Sequence, residues 1–314
     1  MNCFFPMILG LALAVAFAAT PVQASCGASF CAINTQWALQ GVWSKPGVRL
    51  DVRHEYIDQD QPRIGTREVA VGEVSGHHDE VSTLNRNTIA TLDYTSDEGW
   101  GMSLVLPYVQ REHTHIHNHH GTAYVDEWDV DGLADIRVLG HMKEPGSEVS
   151  LLLGAKLPTG KTDVDNENGY EAERSLQPGT GTTDLLAGMA WQRGSIRSPW
   201  SFFAQVLWQK ALDDPDDYTP GEQWSLDAGT RYSFTNGLSL MAQLNGVIRA
   251  RDTGTEAEPH SSGSDTVYFS PGASLSLGKR VQVYGFVQQP LYQYVTGVQL
   301  TAERAMTAGI SVRL

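Results

Sequence analysis

Between Arg111 and His120 the chain reads Arg-Glu-His-Thr-His-Ile-His-Asn-His-His, which places five imidazoles in eight positions. In extended backbone, alternate side chains share a face. His113, His115 and His117 therefore point the same way, with His119 and His120 close behind. Neutral imidazoles grouped in this manner suit a borderline divalent metal such as zinc, nickel or copper. An earlier linking segment carries His77, His78, Asp79 and Glu80, and a meeting of the two segments would form one site. Two other readings fit the same residues: a solvated His-rich tract that binds metal adventitiously, and a pH-responsive gate built on groups that titrate near neutrality. The rest of the chain requires no cofactor.

Acidic residues gather in two further linking segments, Asp163, Asp165, Glu167, Glu171 and Glu173 in one, and Asp213, Asp214, Asp216 and Asp217 in the other. They read as solubilising charge, as a bridge through divalent ions to lipopolysaccharide phosphates, or as a funnel for cations. The run Asp163–Gly169 lacks the spaced glutamate that closes an EF-hand. A third set of charged side chains is spread along the chain at alternating positions: Arg49, Asp51, Arg53, Glu55, Asp93, Asp135, Arg137, His141, Lys156, Asp227, Arg231 and Arg249.

The elements that position these residues are strands. Apolar/polar alternation recurs near 48–56, 87–96, 100–110, 131–142, 148–157, 183–193, 200–210, 224–234, 238–249, 266–277, 281–291 and 304–314. In Val48–Tyr56 one face is Val, Leu, Val, His, Tyr and the other is Arg, Asp, Arg, Glu, a period of two that separates an apolar medium from a wet one. The links alternate in length, with short ones such as DEG, TNG and GK between long ones at 57–86, 111–130, 158–182, 211–223, 250–265 and 292–303. An even number of strands with short turns at one end and long loops at the other is the pattern of an antiparallel up-and-down transmembrane β-barrel of about twelve strands. Short turns belong to the periplasmic end and long loops to the extracellular end.

A soluble sandwich also alternates, but one set of faces here is almost purely apolar, as in Trp100, Met102, Leu104, Leu106 and Tyr108. The opposite faces, such as Ser225, Asp227, Gly229, Arg231 and Ser233, would make a poor dry core. Aromatic residues recur eight apart on the apolar face: Trp100 with Tyr108, Trp200 with Trp208, Trp224 with Tyr232. Eight residues at ~3.3 Å rise and ~40° tilt cover roughly 20 Å, close to the ~25 Å apolar band of such barrels between its aromatic girdles. The charged set listed above then faces the lumen, as interlocked ion pairs or as opposed walls that orient a polar solute. Inward Gly101, Gly154, Gly188, Gly229, Gly272 and Gly309 favour open space inside.

Residues 1–24, with an apolar run from Phe4 to Ala19 and small residues Val22 and Ala24 before Ser25, read as a cleaved signal peptide. Residues 25–46 form an N-terminal periplasmic segment that plugs or lines the mouth or, around 34–43, adds a strand; 47–314 is the barrel. Cys26 and Cys31 are expected to form a local disulfide in an oxidising compartment. With 22 basic against 36 acidic side chains, a net charge of −14, a nucleic-acid partner is excluded.

The strand ending Gly154-Ala155-Lys156-Leu157-Pro158-Thr159-Gly160-Lys161, and the re-entry Pro178-Gly179-Thr180-Gly181-Thr182-Thr183-Asp184-Leu185, resemble an outer-membrane transporter-like family named for a MetA pathway of phenol degradation. Asp126-Glu127-Trp128 and Gly132-Leu133-Ala134-Asp135 extend the likeness, with Ala134 where the family tends to have glycine, over about 48–314. The resemblance implies a passive outer-membrane channel for small solutes, aromatic compounds or metal cations among them. Its implied partners are outer-membrane lipid, lipopolysaccharide, the barrel-assembly machinery and the solute. The terminal Ser311-Val312-Arg313-Leu314 lacks the aromatic end by which barrels are usually recognised for insertion. A surface metal-binding barrel with a closed lumen is the alternative function. An outer-membrane lipid hydrolase would need an outward Ser beside an outward His; His54 is outward without a matching serine, so the chain is not expected to be an enzyme.

Overall fold

The computed structural model describes residues 25–26, 30–40, 46–74, 79–117, 123–194 and 198–314. Its wall is built from β1 (Gly47–Gln59), β2 (Asp79–Thr95), β3 (Trp100–His117), β4 (Tyr124–Leu133), β5 (Ile136–Met142), β6 (Val149–Leu157) and β7 (Asp184–Gly194). It continues with β8 (Trp200–Ala211), β9 (Gln223–Ser233), β10 (Leu238–Arg249), β11 (Ser264–Leu277), β12 (Val281–Thr301) and β13 (Ala305–Arg313). Segments β4 and β5 share one place in the wall, so the barrel has twelve antiparallel strands. Each pairs with its neighbour in sequence, and β13 closes the ring on β1 from Arg313↔Arg49 to Ala305↔Ile57. Closing the ring on β1 removes the open sheet edge that a lipid setting forbids, and β4 extends the wall by pairing with the upper part of β3. Among the described residues no helix is long and apolar enough to cross a membrane.

Side-chain parity follows the sequence reading. In β1, Leu50, Val52 and Tyr56 are exposed outward while Arg49, Asp51 and Glu55 are buried inward. Register aligns the aromatic rows: Trp200 opposes Tyr232 and Trp208 opposes Trp224 across β8 and β9. Trp200 and Tyr232 stand edge to face with ring centroids 4.9 Å apart.

Three long links are shorter than expected, because the strands run on. Strand β2 begins at Asp79, β3 reaches His117 and β12 reaches Thr301. The outward face of β3 turns polar after Tyr108, at Gln110, Glu112 and Thr114, which is where a reading based on apolar faces ends the strand. Backbone pairing is indifferent to that change, and β3 continues against β2 and β4 well past the apolar band. His113, His115 and His117 accordingly sit on a strand of the wall and not in a loop.

The inward glycines do not open the lumen, which corrects the expectation from sequence. A Cβ on Gly229 would lie 2.3 Å from Phe203, one on Gly272 2.3 Å from Phe286, and one on Gly309 2.4 Å from the Tyr284 ring. Gly101 is covered in the same way by His141, at 2.3 Å, and Gly154 and Gly188 lie against Leu139 and Leu207. These glycines are seats for side chains that reach across from the next strand.

Candidate functional site

Residues 30–40, expected at the periplasmic mouth, lie deeper, inside the barrel. Trp37 is fully buried, packed edge-on against Tyr284 at 4.8 Å and stacked with Phe286 at 6.3 Å. Its Nε1 donates to Asp51 (3.2 Å), which also accepts from Tyr284 Oη (2.8 Å) and from Ser311. Asn34 donates from Nδ2 to Asp227 (3.0 Å), and its main chain exchanges hydrogen bonds with Gln243 at 3.1 and 3.0 Å. Arg53 bridges Glu55 (3.0 Å) and Thr35 (2.8 Å), and Glu55 accepts the Cys31 N–H at 3.2 Å. Cys31 is buried with a free thiol, and the side chain of its expected partner Cys26 lies outside the described residues. Ser25 and Cys26 pair in parallel with Gln299 and Leu300 of β12, so the N-terminal segment reaches the long-loop end without adding a full wall strand.

The sequence-derived lumen residues face inward and are engaged with one another or with neighbouring side chains. Arg49 lies 3.9 Å from Asp93, which accepts from Ser103. Arg231 donates to Ser239 (2.9 Å), Arg249 pairs with Asp252 (2.8 Å), Arg137 lies in the field of Asp184 and Asp135, and His141 covers Gly101. Lys156 is the centre of a latch: its Nζ is 3.1 Å from Asp135, 3.1 Å from Asp184 and 3.1 Å from Thr182. Asp135 accepts the N–H groups of Gly160 (3.1 Å) and Thr180 (2.9 Å). Gly160 and Gly179 touch backbone to backbone, where a Cβ on Gly179 would come within 2.5 Å of the Gly160 carbonyl. The LPTGK and PGTGTTD signatures are thus the two ends of one loop, tied to the wall by a buried ion-pair network. Pairing and hydrogen bonding of this completeness is what buried charge requires.

That loop, 158–183, folds over the long-loop end of the lumen. Arg111 holds it there by donating to the carbonyls of Ser175, Leu176 and Gln177 at 3.1, 2.7 and 2.7 Å. Ala172 and Leu176 pack with Trp128, Val130 and Leu300. Against this cap stand the histidines. His113 Nε2 is 3.3 Å from Glu80 Oε2 and 3.4 Å from His115 Nδ1; His115 Nε2 is 2.7 Å from His117 Nε2, which is 2.9 Å from Asp126. The Trp128 ring lies 4.6 Å from that of His115, and its Nε1 donates to the Tyr170 carbonyl at 3.1 Å. Donor atoms of Glu80, His113 and His115, and likewise of His115, His117 and Asp126, lie within 4.8 Å of one another. Residues Glu80, His113 and His115 are buried.

Two loop carboxylates complete the setting. Burial pushes Glu173 up to about 8, and burial with the nearby charges of Glu173 and Glu80 raises Glu258 well above the usual carboxylate range. His77, His78, His119 and His120 lie outside the described residues, as does the expected signal peptide 1–24. Sequence reasoning joins Glu80, through its segment, to the His-rich stretch, and does not place Asp126, Glu173 or Glu258 there. Register pairs His115 with Glu80 and with Asp126, so Asp126 was open to a hairpin alignment; the loop carboxylates were not. On the outer wall, His54 Nδ1 meets the hydroxyl of Thr88 at 3.1 Å.

A closed antiparallel ring with an apolar exterior and a charged, filled interior defines an outer-membrane type of β-barrel. Residues 60–304 match the family described as "Putative MetA-pathway of phenol degradation", and the chain belongs to that family. Among solved structures it is similar to the COG4313 outer membrane channel from Pseudomonas putida F1, with 12% identity and a TM-score of 0.62 over 86% of this chain and 96% of that one. Weaker likenesses include the NanC porin, at 9% identity and TM-score 0.46 over 84% of this chain and 100% of that one. Another is the Pseudomonas putida toluene transporter TodX, at 10% and 0.44 over 92% and 96%. No curated protein matches the chain.

Proposed function

We propose that the protein is an integral outer-membrane channel for passive passage of small solutes, with a lumen gated by its own N-terminal segment. The observation that carries this reading is the nature of the lumen filling. Residues 30–40 are held to Asp51, Asp227, Gln243 and Arg53 by hydrogen bonds, groups that water satisfies equally well once the segment leaves. A wall of inward Asp, Arg, Asn, Gln and Ser side chains is then a hydrated path. Family membership and the likeness to a barrel described as an outer membrane channel support the same class. The short-turn end is periplasmic, residues 1–24 direct export, and the barrel-assembly machinery inserts the ring into lipid, with lipopolysaccharide around the long-loop end. Catalysis has no part in this reading.

Planar-bilayer recording from the refolded chain tests it. Ion-conducting steps that grow when residues 30–40 are deleted are the expected result; a folded barrel that stays silent in both forms overturns the reading. A second reading, metal capture at the outer mouth, is favoured by the convergence of His113, His115 and His117 with Glu80 and Asp126. It adds to the channel and does not require it.

A further inference from the structure

The two donor triads at the outer mouth differ in their spacing. A tetrahedral ion bound at about 2.0–2.1 Å keeps its ligand atoms about 3.3–3.4 Å apart. Glu80 Oε2 to His113 Nε2 is 3.3 Å, and His113 Nε2 to His115 Nδ1 is 3.4 Å. The second triad is tighter, with 2.7 Å from His115 to His117 and 2.9 Å from His117 to Asp126, which are hydrogen-bond distances. In addition, each ring of the first triad has its other nitrogen engaged: His113 Nδ1 with the Thr83 hydroxyl at 2.8 Å, and His115 Nε2 with His117. Metal-binding imidazoles are oriented in this way, by a partner on the far nitrogen that leaves the near one as a lone-pair donor.

Charge points in the same direction. The carboxylates of Glu80, Glu173 and Glu258 share this part of the mouth, and the oxygens of Glu173 are shut off from solvent. Among the described residues no lysine or arginine forms an ion pair with Glu173 or Glu258.

We propose that Glu80, His113 and His115 bind one divalent transition metal of the zinc class, as three protein ligands to one ion. The His117–Asp126 pair is then the support that orients His115. Glu80 belongs to β2 and the histidines to β3, so the ion ties these two wall strands together at the outer mouth. This rests on the metal-capture reading given above, and it assigns that reading to a buried site and not to the His-rich tract as a whole.

The test titrates zinc into the refolded full chain and counts bound metal after desalting, with heat-modifiable gel migration confirming that each barrel is folded. One zinc per chain is expected. Glu80→Gln, a near-isosteric change, and the double change His113→Ala with His115→Ala should each weaken binding by about 10–100-fold. Replacing His77, His78, His119 and His120 with alanine should leave it intact, and cobalt in place of zinc should give the intense visible bands of a tetrahedral ion. A chain that binds no zinc overturns both the metal-capture reading and this site. Binding that survives Glu80→Gln and disappears with the four changes at His77, His78, His119 and His120 keeps the reading and overturns the site.

Discussion

The lumen and the outer mouth are built from similar residue types and treat charge in opposite ways. Around the plug, acids meet bases or neutral donors: Asp51 takes three hydrogen bonds, Arg53 is met by Glu55, and Lys156 is shared by Asp135 and Asp184. At the mouth, by contrast, Glu80, Glu173 and Glu258 crowd beside two buried imidazoles. Charge neutralised within the fold stabilises that fold and leaves little for a ligand to gain. Charge crowded with its own sign leaves a position for a cation. Under the proposed function, the lumen charges serve the closed state, while the mouth charges serve a cation that arrives from outside.

The comparison breaks first if the lumen charges prove dispensable. Lys156→Met removes the ammonium that buried Asp135 and Asp184 share, and removing one partner of such a buried pair costs about 3–5 kcal/mol. Thermal unfolding should show that loss, and the 158–183 loop should become protease-sensitive. Trp37→Ala removes the largest side chain of the plug; with about 3–5 kcal/mol lost by a buried Trp→Ala change, the segment should undock and bilayer current should rise while the wall stays intact.

At the mouth the expected effect is conditional on the ion. Zinc at a hundred times its dissociation constant should stabilise the wild type by about 2.7 kcal/mol and Glu80→Gln far less, with chelator reversing the gain. A smaller effect sharpens the account of the inward glycines: Gly229→Ala drives a methyl group into Phe203 and should cost about 1–3 kcal/mol by overpacking, whereas a truly open lumen would tolerate it. Least of all should follow from Arg86→Ala, which breaks a solvent-facing pair with Glu112 (2.5 Å); a stability change below about 1 kcal/mol is expected there.

Much of this molecule is legible from one sequence. The alternation in Val48–Tyr56 assigns Arg49, Asp51 and Glu55 to the inside because side chains in extended backbone alternate without exception of context. The same rule aligned His113, His115 and His117 on one face. Strand ends were less legible, since β3 keeps pairing after its outward face turns polar at Gln110. The six inward glycines were misread as space, because the residues that fill them, four of them rings and two of them leucines, belong to neighbouring strands.

What the sequence determined by itself was local: the period of two, the twelve strands and their faces, and the donor types gathered at 113–117. What only the tertiary structure decided was which distant residues meet. Ring closure joins β13 to β1, lays Asn34 against Asp227 across 193 positions of sequence, and folds the 158–183 loop so that Glu173 stands near Glu80. Periodicity is a property of backbone sterics and repeats within a few residues. Such meetings depend on the curvature of the closed sheet and the path of the loops, which no short stretch of chain encodes.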